Sequence, residues 1–184
     1  MTDEHDHDHS EHDHREHDHE DHVHGHEPTT LDPAQHRGEA VALFNTVWEM
    51  LDAPDRTPAQ DDQMIHAAHA SRWHWSQAGD LGGDQQRAVG EWQCSRVYAV
   101  LGRGEPALHH ATACLAICEE TGLGDWVLAA AYEALARATA VAGDTGGTQA
   151  WLAKARTATA AIADPEDREV IEGDLATIAV ASGG

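Results

Sequence analysis

Basic side chains are scarce in this 184-residue sequence: eleven Lys and Arg stand against thirty-three Asp and Glu, a formal charge of −22 with neutral histidine. An acidic excess of that size repels nucleic acid and anionic lipid surfaces, and no basic patch offsets it. Long apolar runs are missing too, so neither a secretory leader nor a membrane span is expected. The three cysteines, Cys94, Cys114 and Cys118, are an odd number inside helical patterns, which suits a reducing cytoplasm better than a disulfide framework. No long alternating Val/Ile/Thr segment occurs, which argues against strands. Catalytic signatures are lacking as well, with no HExxH, no glycine-rich phosphate loop after a strand, no GxSxG and no paired CxxC. The sequence leans away from an enzyme and names no reaction.

What is abundant is histidine, and it is concentrated. Residues 1–27 hold ten of the sixteen histidines, eleven acidic groups, one Arg and a single aliphatic side chain beyond Met1, Val23. Such a segment buries too little apolar surface to offset its ordering entropy, so a disordered tail is expected there. Its histidines fall two or three apart: His5, His7, His9, His12, His14, His17, His19, His22, His24 and His26. Neighbouring imidazoles in a pliant chain can wrap one ion, and the interleaved carboxylates add oxygen ligands and a negative field. Nickel, zinc or cobalt is the expected cargo and copper(II) is admitted, whereas a tail without cysteine disfavours Cu(I). A purification tag, which runs as consecutive histidines, and a merely solvating acidic arm are the bland readings.

From Pro28 the composition turns to Ala, Leu, Trp and spaced charge, and residues 28–184 suffice for one core. Asp32-Pro33, Thr57-Pro58, Glu105-Pro106 and Asp164-Pro165 each place Pro where a first helical residue belongs, behind a residue that can cap. Gly79, Gly102, Gly122 and Gly143 close the same segments. This punctuation predicts seven helices, about 34–52, 59–78, 84–101, 105–121, 125–142, 147–163 and 166–181. Short connections make neighbours antiparallel, giving an all-α chain of three helical hairpins and a terminal capping helix.

Two stretches are self-similar. In "EWQCSRVYAVLGRGEPALHHATACLAI", Tyr98, Leu101-Gly102, Ala107, Ala111 and Cys114 occupy the aromatic, Leu-Gly and small-residue slots of a tetratricopeptide repeat, which the segment resembles. "YEALARATAVAGDTGGTQAWLAKA" echoes it with Ala136, Ala142-Gly143, Leu152 and Ala155, offset by 41 residues between the two Gly-closed turns. The usual period is about 34 residues, so longer helices around "CEETGLGDW" would absorb the difference. The resemblance covers about 91–160 and implies a right-handed tetratricopeptide-like stack that docks another protein. "MIHAAHASRWHW", "GEWQCSRVYAVLG" and "AYEALARA" also resemble a group of small bacterial helical proteins, a likeness that implies a fold and adds no activity.

The domain carries histidines of its own. His66 and His69 lie about 60° apart around the second helix, close enough to share an ion, and His74 lies on the other side of His66. In a stack, the second helix of one hairpin is expected beside the second helix of the next, which carries His109 and His110. A possible domain site is therefore His66, His69 and His110, with Glu91 or Glu133 nearby, as a metal site or an acid/base pocket. Cross-helix hydrogen bonding or plain exposure is the alternative. Cys94, Cys114 and Cys118 read as small core residues. The six tryptophans read as the large elements of an Ala-rich core, although Trp92 with Arg72 or Arg96 could line a partner groove.

Three functions stay open on this basis. The first is intracellular transition-metal sequestration or delivery, with the helices docking a protein partner. The second is an interaction scaffold with a soluble acidic arm, and the third is a small enzyme or ligand-binder using the helical histidines.

Overall fold

The computed structural model describes residues 30–179, which from Leu31 onward belong to one compact unit. Among the described residues the chain is all-helical, with no strand. Seven α-helices follow one another: α1 (Pro33–Asp52), α2 (Pro58–Gln77), α3 (Asp84–Val100), α4 (Gly104–Thr121), α5 (Asp125–Val141), α6 (Thr145–Ala160) and α7 (Pro165–Ala176). A single 3₁₀ turn, Gly79–Leu81, joins α2 to α3. No helix among the described residues is long and apolar enough to cross a membrane.

The starts are set by side chains that replace missing backbone partners. Asp32 accepts from the Gln35 amide and Gln35 Oε1 accepts from the Asp32 amide, both at 2.8 Å, closing a capping box ahead of Pro33. Thr57 and Gln60 do the same ahead of Pro58, and Asp164 caps α7 ahead of Pro165. Helix α4 departs from the expected pattern. It begins at Gly104, so Pro106 sits at its third residue rather than its first, and Arg103 offers no side-chain cap. The cause is tertiary: Gly104 lies so close to the end of α5 that a Cβ there would stand 2.9 Å from the Ala142 Cα and N. Helix α6 also begins early, at Thr145, because Asp144 accepts from the Gly147 amide at 2.9 Å. Helix α7 stops at Ala176, short of the expected 181.

Each helix packs on the next, α3 also touches α1 and α5, and α7 rests on α5 and α6. The expected backbone packing of α2 beside α4 does not occur, because α3 contacts both and their side chains meet only over its face. Helix α5 is the innermost element. Its Ala129, Ala130, Ala131, Ala134, Ala136 and Ala138 are at most 3 % exposed. Small residues in these slots let helix axes approach closely, and Ala107, Ala111 and Cys114 of α4 are buried for the same reason. Large side chains fill what remains. Trp75 and Trp92 are buried, while Trp48, Trp126 and Trp151 are half-buried against the core. Trp73 is the exception to the core reading, at 52 % exposed.

The contact at the α4 start gives a test with an internal control. Gly104→Ala should lower stability by about 1–3 kcal/mol in urea unfolding, since the backbone of Ala142 cannot yield as a flexible side chain would. Gly38→Ala, in the open interior of α1, should instead raise it by about 0.5–1 kcal/mol.

Candidate metal centre

Glu91, Cys94 and Tyr98 lie at positions i, i+3 and i+7 of α3, a spacing that aligns them along one face. That face looks toward His69 and Arg72 of α2 and His110 of α4. Gly90 lies directly against Arg72, where a Cβ would stand at contact distance, 3.4 Å, from the Arg72 Cβ and Cγ.

Three side chains converge at the centre of this face. The ligand-capable atoms of His69, Cys94 and His110 all lie within 4.8 Å of one another. The imidazoles of His69 and His110 meet edge to face at 5.1 Å, and the Tyr98 ring stacks parallel on His110 at 5.7 Å. Tyr98 Oη and His69 Nε2 are hydrogen-bonded at 2.9 Å. His110 Nδ1 is 2.7 Å from Glu91 Oε2, while the other Glu91 oxygen takes the Arg72 Nε–H. An ionised carboxylate can only accept, so His110 donates its Nδ1–H to Glu91, and Nε2 is the nitrogen left for a metal. A carboxylate behind a histidine in this way fixes the tautomer and ring orientation of many metal-ligating histidines.

Electrostatics separate the roles. Burial pulls the Glu91 carboxyl upward, but the hydrogen bonds from His110 and Arg72, with the Arg72 charge, outweigh it and hold the group below the usual range. Burial, helped by the charge of His110, lowers His69, so its neutral form is favoured at neutral pH. Burial pushes the Cys94 thiol up to about 12, reinforced by Glu91.

Glu91, His110 and Cys94 together have the composition of an acid–His–thiol triad, yet the nucleophilic reading fails on the thiol. Cys94 is 1 % exposed and protonated at neutral pH, whereas nucleophilic cysteines are exposed and acidic. A bound cation, by contrast, deprotonates the thiol that coordinates it. The arrangement thus has the donor set of a metal site and lacks the exposed, acidic thiol of a cysteine nucleophile.

The expected domain site is partly assembled. His69 and His110 come together, but His66 is exposed on α2 and reaches them only through its charge. Cys94, read from sequence as a packing residue, is the third member. Of the two carboxylates considered, Glu91 belongs to the cluster and Glu133 does not. Glu133 is fully buried on α5, where it accepts from Trp92 Nε1 (3.2 Å), Arg96 Nη2 (3.2 Å) and Arg137 Nε (2.7 Å). Arg96 also pairs with Asp174 of α7 at 2.7 Å. Trp92 and Arg96 are thus committed to a buried network, while Arg72 pairs with Glu91 and leaves its side chain 44 % exposed. Cys114 and Cys118 are buried in the core as expected. The ten tail histidines, His5 to His26, lie outside the described residues.

Comparison with known proteins adds no relative: no family model matches the chain, and neither the curated proteins nor the solved structures contain a match.

Two outcomes follow from these networks. The folded-state values of His69 and Glu91 are both depressed, so each contributes stability above its unfolded pKa and loses it as pH falls through the folded one. Stability measured by urea unfolding should therefore begin to fall below about pH 6.5 through His69 and fall further below about pH 4.3 through Glu91. Glu133→Ala should cost about 3–5 kcal/mol, because it strands Arg137 and Trp92 without their buried acceptor.

Proposed function

We propose that this protein binds divalent transition-metal ions as cargo, for sequestration or delivery, and that His69, Cys94 and His110 form its fixed site. The supporting observation is the convergence of two imidazoles and a thiol within 4.8 Å in a chain already dense in histidine. Metal–ligand bonds of about 2.0–2.3 Å require tetrahedral nitrogen–nitrogen and nitrogen–sulfur separations of about 3.3–3.6 Å, so the cluster must contract by up to about 1.5 Å. Zinc, cobalt and nickel suit this mixed nitrogen–sulfur set. Three protein ligands leave one position open, and an open position permits the ion to be handed on more readily than a closed four-ligand cage. In this reading the tail histidines gather ions by number, and the buried site selects by geometry. The helical unit, as a tetratricopeptide-like stack of hairpins in a reducing cytoplasm, would dock the protein that receives the ion.

Cobalt(II) tests the reading in the full chain, because residues 1–27 hold no cysteine. Ions on the tail give nitrogen–oxygen spectra. An ion at the buried site adds a thiolate-to-cobalt charge-transfer band that Cys94→Ser removes and His110→Gln weakens. Uptake at pH 7 should also release at least one proton per ion at this site, since the Cys94 thiol is otherwise protonated, and calorimetry in two buffers of different ionisation enthalpy measures it. Glu91→Gln should weaken the affinity about 10–100-fold by loosening His110. Absence of the thiolate band at saturating cobalt would reduce the cluster to a hydrogen-bonded core. Absence of any binding by the full chain would leave the scaffold reading.

A further inference from the structure

A second pair of histidines stands at the surface between α1 and α2, sharing no residue with the buried cluster. His36 Nδ1 and His74 Nδ1 are 2.9 Å apart, with ring centroids at 5.0 Å and planes at 46°. Neither nitrogen is engaged elsewhere among the described hydrogen bonds, and both side chains are only half-buried, so solvent reaches the pair. We infer that His36 and His74 form a second, solvent-facing site for a divalent transition metal.

The juxtaposition of two imidazole nitrogens from different helices carries the argument. One Nδ1–H donates to the other nitrogen across 2.9 Å, an ordinary hydrogen-bond length. With bonds of about 2.0–2.1 Å, two nitrogens on adjacent corners of an octahedron stand about 2.8–3.0 Å apart and those of a tetrahedron about 3.3 Å, so the pair can chelate after a small rotation of the rings. The ion then displaces that proton and sits off the line joining the two nitrogens. Glu39, one turn beyond His36 on α1, places a carboxylate near enough to act on His74 and to neutralise part of the ion's charge. The two ligands come from different helices, so the site exists only when α1 and α2 are packed.

Trp73 provides a local reporter, because its ring lies 5.4 Å from His36 and 4.8 Å from His74 and is exposed. The full chain, labelled with ¹⁵N, is titrated with nickel(II) while the Trp73 indole signal is followed. Paramagnetic broadening of that signal is expected in the wild type. The nickel concentration that halves it should rise at least tenfold in both His36→Asn and His74→Asn, with tail binding unchanged. The site is overturned if the midpoint in either variant stays within threefold of wild type, or if saturating nickel leaves the wild-type Trp73 signal sharp. Cys94→Ser should leave the midpoint in place, which separates this site from the buried one.

Discussion

A carboxylate held inside protein must satisfy both of its oxygens, and Glu91 does so by reaching in two directions at once. One oxygen takes Arg72 from α2 and the other takes His110 from α4, so a residue of α3 decides where two other helices present their side chains. Replacing such a pair by apolar residues often costs little, whereas removing one partner costs a great deal. The interaction therefore acts as a pin on register more than as a source of net stability. From it follow the free Nε2 of His110, the position of His69 over that ring and the closeness of Cys94 to both. Glu133 pins α3, α5 and α7 together by the same logic, with Trp92, Arg96 and Arg137 as its partners. Two buried carboxylates thus organise an interior rich in alanine, which fills space without fixing direction.

The elements were legible in sequence because their ends carry local chemistry. Proline after a capping residue and glycine beyond the last turn are signals that act within a few residues, and at Gly102 and Gly143 the backbone does take positive φ values of 70° and 78°. Where a boundary was misplaced, the deciding contact was distant: the start of α4 answers to Ala142, some forty residues away in the chain. The exposed Trp73 was misread for a related reason. Composition counts tryptophans as core material but does not say which face of α2 is left uncovered.

The candidate site divides along the same line. A helical wheel grouped His66 with His69 correctly as angular neighbours, yet it had no means of choosing which of them a second helix would cover. Packing chose His69 and left His66 in solvent. Cys94 was assigned to packing because free cysteine behaves as a small apolar side chain, and in burial it does. A usable signal was present nonetheless. Glu91, Cys94 and Tyr98 form a stripe of ligating and hydrogen-bonding groups along one face of α3, and such a stripe, once covered, demands partners from its neighbours.

The depth of Cys94 has a consequence for how the chain ages. Oxidants and alkylating agents act on exposed thiolates, and this sulfur is neither exposed nor ionised while the helices stay packed. The folded protein can therefore stand in air without oxidising this sulfur or cross-linking to a second copy through it. The packed helices serve as a wrapper for the thiol, and the rate at which they part sets the rate at which it is lost.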